Sequence, residues 1–292
     1  MSNSTATTAV SPQTEALNHH PVVSREQWLQ KRKELLGREK ELTRLHDQLA
    51  AARCDLPWVR IDQNYVFDAP DERKVTLADL FAGRSQLVIY HFMFGPDWQE
   101  GCPSCSYVSD HINATLPHLA ARDVTVTMVS RAPIEKIEDF KKRLGWRFPW
   151  VSSFGNKFNS DFHVSFTKEE MARGKVNYNY TEQEFPSEEA PGLSVFYKNA
   201  KGEVFHTYSS FGRGLDAILG TYMILDFVPK GRDEDHLEFS MAWVRYHDRY
   251  GTDQFADADK PYWPDAAEAA VAAVSAGKSS AGCGCGSGES RG

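Results

Sequence analysis

The first regular pattern in the chain opens at Ser24-Arg-Glu-Gln27, where a serine followed three residues on by a glutamine forms a capping box. A run of helix formers then lasts to about Arg53. Within it Trp28, Leu35, Leu42 and Leu49 recur every seven residues, and Leu45 fills one intermediate position. Lys31 and Arg38 interrupt that second seam, so the helix over 22–55 is expected to lie along its own domain; a homodimer seam is the alternative. The period then shortens. Val59-Arg-Ile and Tyr65-Val-Phe predict two short strands around the turn-prone Asp62-Gln-Asn64, and Thr76 caps a short helix, Leu77 to Ala82, that Gly83 stops.

Gln86 to Phe94 is nearly all apolar, the pattern of a central strand buried on both faces. A loop from Gly95 to Gly101 leads into Cys102-Pro-Ser-Cys105, which opens a helix to about Ala121. Val124 to Ser130 alternates Val and Thr as a strand does. After Pro133, Ile134, Ile137, Phe140 and Leu144 mark the buried stripe of a helix ended by Gly145, and Trp150-Val-Ser predicts a short strand. Residues 155–190 have no clean period and read as an irregular insertion. Beyond Pro191, Leu193 to Tyr197 and Val204 to Tyr208 predict a hairpin around Asn199-Ala-Lys-Gly202, followed by a helix from Leu215 to Phe227 that Pro229 closes. The aromatics of 231–265 (Phe239, Trp243, Tyr246, Tyr250, Tyr262, Trp263) are expected to cover one face as a C-terminal extension. The order is β-α-β-α-β, an insertion, then β-β-α. With right-handed crossovers and a closing antiparallel hairpin this predicts an α/β three-layer sandwich around a central mixed sheet. The main domain then runs over 56–230, between a disordered arm (1–21) and a flexible Ala/Gly/Ser tail (266–292) that ends in Gly282-Cys-Gly-Cys-Gly286.

Composition narrows the function classes. Of 292 residues, 41% are hydrophobic and 25% charged, ordinary globular usage with enough material for a sizeable core. Lys and Arg number 33 against 40 Asp and Glu, a net charge of −7 with no dense basic stretch; this argues against nucleic acid or a membrane as partner. No apolar run approaches the ~20 residues that span a bilayer. The opening Met1-Ser-Asn-Ser-Thr-Ala-Thr-Thr has neither a basic region nor an apolar block, so a cytoplasmic location is expected. Five cysteines in a chain of this length do not make a disulfide framework.

Their arrangement is more telling. With Cys102 at the N-cap, Pro103 falls at the first helical residue, where its missing N–H costs nothing. The free amides of Ser104 and Cys105 then point at the Cys102 sulfur and, with the positive helix end, stabilise a thiolate. Cys105, one turn inside, can close an intramolecular disulfide and expel a mixed disulfide formed first. Cys102 is therefore the expected nucleophile and Cys105 the expected resolving thiol. Half of a zinc site and a pair of inert buried thiols are the competing readings. No second Cys/His pair lies nearby at ligand spacing and His111 would project from another helix face, so neither metal nor cofactor is expected. Asp97 and Glu100 would oppose ionisation of Cys102 if they pointed inward. The direction of electron flow stays open, since potentials of such pairs span roughly −270 to −120 mV.

Several stretches together carry a family resemblance: Val75-Thr-Leu-Ala-Asp-Leu-Phe-Ala-Gly83, Tyr90-His-Phe-Met-Phe-Gly-Pro-Asp-Trp98, Gly101-Cys-Pro-Ser-Cys105, Ser130-Arg-Ala-Pro133, Gly145-Trp-Arg-Phe-Pro149, His206-Thr-Tyr-Ser209 and Arg213-Gly-Leu-Asp216. Over about residues 25 to 250 the chain resembles the thioredoxin-like predicted dithiol-disulfide oxidoreductases (domain of unknown function 899). The resemblance implies a thioredoxin-like fold and thiol–disulfide exchange, with Cys102 and Cys105 on the family's dithiol. It implies as partners a disulfide-containing protein or small-thiol substrate, and a thiol or flavoprotein reductant. Thioredoxin-like proteins set a cis-proline opposite the dithiol, for which Pro191 is the candidate. They also place a Trp directly before the first cysteine, whereas Trp98 lies four residues upstream, so partner docking is expected to differ. The candidate substrate-binding residues are thus Trp98, Pro103, Ser104 and Pro191. The peroxiredoxin pattern Pro-x-x-x-Thr/Ser-x-x-Cys fails, because counting from Pro96 puts Glu100 and Pro103 at its last two positions.

Other residues have duller explanations beside the functional one. His206, Tyr208 and Arg213 could line the groove beside the dithiol or satisfy local hydrogen bonds. His91 is expected as a hydrogen-bonded core histidine, Arg131 in an ion pair with a helix carboxylate, and Cys54 as a single packed or partly exposed thiol. Cys283 and Cys285 suit a mobile dithiol relay, a soft-metal site or an idle tail. The leading expectation is a thiol-disulfide oxidoreductase; a metal-binding or redox-sensing adaptor without turnover is the alternative, and a thiol peroxidase the third.

Overall fold

The computed structural model describes Leu17 and residues 19–250, so the remainder of the arm, Tyr262, Trp263, Cys283 and Cys285 lie outside the described residues. Helix α1 (Arg25–Cys54) begins on the expected capping box: Gln27 N–H donates to Ser24 Oγ at 3.3 Å and Ser24 N–H to Gln27 Oε1 at 3.1 Å. Its expected packing does not occur. No side chain of α1 is buried; Trp28 is 51% exposed and Leu42 67%. The apolar positions make no stripe wide enough to cover a core, and ion pairs along the helix (Lys31–Glu34, Arg32–Glu39) support it locally instead.

Eight strands form one mixed sheet: β1 (Val59–Arg60), β2 (Val66–Ala69), β3 (Arg73–Thr76), β4 (Gln86–His91), β5 (Val124–Ser130), β6 (Trp150–Ser152), β9 (Gly192–Lys198) and β10 (Val204–Phe211). Their spatial order is β1-β10-β9-β4-β5-β6-β2-β3. Strands β4, β5 and β6 run parallel, and β9 pairs antiparallel with β4 and with β10. A second sheet pairs β7 (Val176–Tyr178) with β8 (Thr181–Gln183) in the insertion. The two N-terminal strands do not pair with each other. Val59 aligns with His206 on β10, whereas β2 pairs with β3 at Phe67↔Val75 and touches β6. The short helix after Thr76 reduces to a 3-10 turn, Asp79–Phe81, whose Asp79 carboxylate takes the Thr76 N–H at 2.8 Å.

The central strand is buried on both faces, as its apolar run requires. Tyr90 faces helices α2 (Pro103–Ala120) and α3 (Ile134–Arg143), with Phe92, Met128, Trp150 and Tyr222 in the same core. Leu87 and Ile89 face the other way, against Phe67, Phe81, Phe158 and Phe196. Two short helices, α4 (Phe158–Asp161) and α5 (Lys168–Ala172), stand in the insertion. The expected long final helix is split into a 3-10 segment, Gly212–Ile218, and a short helix α6 (Gly220–Leu225). At the break His111 Nε2 accepts the Thr221 N–H at 3.0 Å, so a side chain from α2 satisfies a first-turn amide of α6 that has no partner within the short helix. The βαβ unit β4-α2-β5, followed by an antiparallel β9–β10 pair on the far side of β4, is a thioredoxin-like arrangement. Among the described residues no helix is long and apolar enough to cross a membrane.

Candidate active site

The dithiol lies where β4 ends and α2 begins. Beyond His91 the chain still pairs with β5 through Phe92 N–H and Val129 O at 2.9 Å. Met93 then contacts both cysteines with its backbone: its carbonyl accepts the Cys102 N–H at 3.0 Å, and its N–H points at Cys105 Sγ at 3.4 Å. Cys102 occupies the N-cap of α2 with Pro103 at the first helical position, and its carbonyl accepts the Ser106 N–H at 2.9 Å. Cys102 is partly exposed, Cys105 is buried, and both are free thiols.

Burial and hydrogen bonding drive the two sulfurs apart in acidity. Cys102 is pulled down to about 7, first by a hydrogen bond from the Cys105 thiol, then by the backbone N–H groups of Cys105 and Ser104, against the cost of its own desolvation. Cys105 is pushed up, first by burial and then by Cys102, and the Tyr90 hydroxyl and Met93 N–H partly offset the shift. The two acids before the dithiol do not oppose ionisation. Asp97 is exposed, and Glu100 forms an ion pair with Arg143.

The expected substrate-binding residues separate. Ser104 and Pro191 line a cavity of about 760 Å3 together with Cys102, Cys105 and Arg213. Pro103 is exposed at the helix start outside that lining. Trp98 is not on the cavity wall either; its indole folds back over Gly95, where an added Cβ would come within 2.9 Å of Nε1. Pro191 faces the dithiol cavity, but the peptide before it is trans, as is every described peptide bond. That trans bond carries the chain from Ala190, whose N–H donates to Val164 O at 2.9 Å, straight into β9. The Tyr178 hydroxyl holds the turn by donating to Pro191 O at 2.7 Å and accepting the Gly212 N–H at 3.1 Å.

His206 and Tyr208 line a different cavity, beside Leu56 and Pro57. His91 is buried with Nε2 2.8 Å from Ser194 Oγ, and desolvation lowers it to about 3, so it stays neutral. Cys54 is exposed at the end of α1. Arg131 pairs at 3.2 Å with Glu189, which lies on the approach to β9 and not on a helix. Among the described residues no group of three or more His, Cys, Asp or Glu side chains is placed to hold a metal ion. His111 is engaged with Tyr107 O at 2.7 Å and with Thr221.

Glu189 yields a pH prediction. Burial pushes its carboxyl up to about 7 from an ordinary 4.5, although Arg131 and the Ser165 hydroxyl pull it down. A raised carboxyl holds a proton in the folded chain that the unfolded chain has released. Between these two values stability therefore falls as pH rises, by up to about 1.4 kcal/mol per pH unit. Thermal unfolding of wild type and Glu189→Gln should show wild type losing ground to the variant from about pH 5 to about pH 7.5. Parallel profiles would refute the assignment.

Sequence reasoning did not assign four contributors to this site: the Met93 backbone, Tyr90, Tyr178 and the segment 230–241. Tyr90 was the most accessible of them, since strand alternation puts it on the face of Phe92 and Phe94 next to the dithiol loop. Fold and dithiol together define a thioredoxin-like chain with a Cys-x-x-Cys pair at a strand-to-helix junction. A family profile described as "Bacterial protein of unknown function (DUF899)" matches residues 17–250, and the chain belongs to that family. No curated protein matches the sequence. Among solved structures the chain is similar to peroxiredoxin Q of Xanthomonas campestris, with 17% identity and a TM-score of 0.40 over 57% of this chain and 96% of that one. It is also similar to peroxidoxin BcpB from Mycobacterium tuberculosis, with 12% identity and a TM-score of 0.38 over 57% and 95%.

Proposed function

We propose that the protein is a thiol-disulfide oxidoreductase in which Cys102 attacks a substrate disulfide and Cys105 resolves the adduct. The observation that carries this reading is the pairing of a partly exposed Cys102, lowered to about 7, with a buried Cys105 hydrogen-bonded to it. Attack by the Cys102 thiolate on one sulfur forms a mixed disulfide, and the other sulfur leaves as a thiolate that takes up a proton. Cys105 then gives up its proton and displaces Cys102's partner. The protein ends as the Cys102–Cys105 disulfide, two electrons having passed to the substrate. A thiol or flavoprotein reductant would close the cycle.

Reduction of insulin disulfides by wild type and Cys102→Ser tests the reading. Wild type should turn over, and Cys102→Ser should fall to the uncatalysed background; equal rates would discard the role. The first-step rate should rise with pH and reach half its plateau near about pH 7, because only the thiolate attacks and Cys102 is lowered to that value. A profile centred near the ordinary thiol value of ~8.5 would mean that the helix start does not activate this sulfur.

A further inference from the structure

We propose that Tyr246 is a positioning residue for the dithiol: by holding the Gly101 carbonyl it fixes the peptide unit from which Cys102 departs. This rests on the dithiol reading above and adds to that site a residue from far along the chain. One peptide unit links Gly101 to Cys102, and both of its polar groups are tied. The carbonyl of Gly101, a buried residue, accepts the Tyr246 hydroxyl at 2.6 Å, and the Cys102 N–H donates to Met93 O at 3.0 Å. A peptide unit is planar, so bonds on its two opposite edges leave it little rotation. From that plane only the φ of −59° at Cys102 is needed to place Cβ, which carries the sulfur toward the Ser104 and Cys105 amides.

The hydroxyl is delivered by a segment tied down without help from the dithiol. Tyr246 is buried, with its ring edge-on to Phe140 at 5.6 Å, and the Arg143 guanidinium lies 4.8 Å over that ring. The same guanidinium pairs with Glu100, the residue before Gly101, and reaches Asp248 Oδ2 at 3.0 Å, just past the tyrosine. His247 Nδ1 lies 2.7 Å from Asp110 Oδ1 on α2, an oxygen that also accepts the Trp146 indole N–H at 2.7 Å. The stretch 246–248 thus meets the dithiol loop, α2 and the end of α3 at one place. It belongs to the aromatic extension expected to cover one face of the domain, and what it covers is the loop that carries Cys102.

Phenylalanine at this position keeps the ring contacts with Phe140 and Arg143 and removes only the hydroxyl. The buried carbonyl then loses its tyrosine donor, and a buried acceptor left without one drives the peptide unit to turn until it finds another. The Cys102 N–H is the other edge of the same plane, so that turn also carries Cβ of Cys102 out of line with the Ser104 and Cys105 amides. Hydrogen bonds weaken steeply away from linearity, and these are the bonds that favour the charged sulfur. Tyr246 therefore governs the reactivity of Cys102 without touching it.

The test is the pH profile of alkylation by iodoacetamide in the pre-reduced full chain, mapped to each cysteine by mass spectrometry, for wild type, Tyr246→Phe and Tyr65→Phe. Tyr65 is the control. It is also buried and also gives its hydroxyl to one acceptor, Asp161 at 2.8 Å, but it packs in the core on the other face of the sheet. Tyr246→Phe should raise the Cys102 midpoint from about 7 by at least about 0.5 of a unit toward the ordinary ~8.5, a roughly threefold loss of thiolate at pH 6. Tyr65→Phe should keep the wild-type midpoint. Cys105 should stay unmodified through the midpoint region in all three proteins, the sign of a site that has turned and not unfolded. An unchanged midpoint in Tyr246→Phe, an equal shift in Tyr65→Phe, or alkylation of Cys105 in Tyr246→Phe would overturn the proposal and leave the oxidoreductase reading intact. A wild-type midpoint near ~8.5 would instead take away the activated Cys102 on which that reading rests, and the proposal with it.

Discussion

Cys105→Ser should stop the reaction halfway, with the substrate left attached to Cys102 and steady turnover reduced to the background of Cys102→Ser. The cause is the division of labour between the sulfurs. Cys102 is partly exposed and lowered, so the first attack does not need Cys105 as a nucleophile. Cys105 is buried and raised, and part of the rise comes from Cys102. Once Cys102 is tied up in a mixed disulfide, that opposing charge is gone. The Met93 N–H and Tyr90 hydroxyl then remain as donors to the sulfur that must ionise next. A serine hydroxyl can accept from the same donors and is slightly smaller, so the fold should survive while resolution is lost. Mass spectrometry under non-reducing conditions should find one adduct per chain, mapped to the peptide of Cys102. Clearance of that adduct at the wild-type rate would move the resolving role elsewhere, and replacing Cys283 and Cys285 would show whether the tail supplies it. An adduct confined to Cys54, which is exposed, would sink the assignment of the nucleophile.

The dithiol was legible because its chemistry is local. A strand, a loop and a helix N-terminus lie within one short stretch, and Cys102 and Pro103 occupy the N-cap and first helical positions that the order of residues predicts. Strand β5 was equally plain, with bounds of Val124–Ser130 that match its Val/Thr alternation. Elements misread from the sequence depend on contacts made far along the chain. Val59 finds its partner at His206, and where the helix expected from Leu215 breaks, His111 from a distant helix takes the Thr221 N–H. The period of α1 was real, but periodicity states only that a face exists, not what covers it, and here nothing described does. The segment 230–241 of the cavity lining was hidden for the same reason: Glu234 is tied to Tyr222 and Trp243 by hydrogen bonds that no periodicity announces.

Gly101→Ala should be the most damaging single-methyl change near the site, lowering both stability and the acidity of Cys102. A Cβ there would lie 2.5 Å from Phe92 Cε1 and 3.0 Å from Phe140 Cε1. Phe92 has little freedom to yield, since its ring centroid is 4.5 Å from Trp150 and 6.1 Å from Trp146. Nor can the backbone simply retreat, because the Gly101 carbonyl accepts the Tyr246 hydroxyl at 2.6 Å and the next N–H donates to Met93 O at 3.0 Å. Overpacking of this kind costs about 1–3 kcal/mol, and with two unyielding neighbours the upper end is expected, a drop in Tm of roughly 6–12 °C. Relief by shifting the loop would turn Cys102 away from the amides of Ser104 and Cys105. The pH midpoint of Cys102 alkylation should then rise from about 7 toward the ordinary thiol value. Phe92→Leu supplies the control, since it removes the ring atoms that the methyl would strike. In a double-mutant cycle the two changes should be less costly together than the sum of each alone, and the midpoint should return toward that of wild type. Strict additivity would mean that the methyl finds room without touching Phe92 and that the close approach of loop to ring does not set the position of the dithiol.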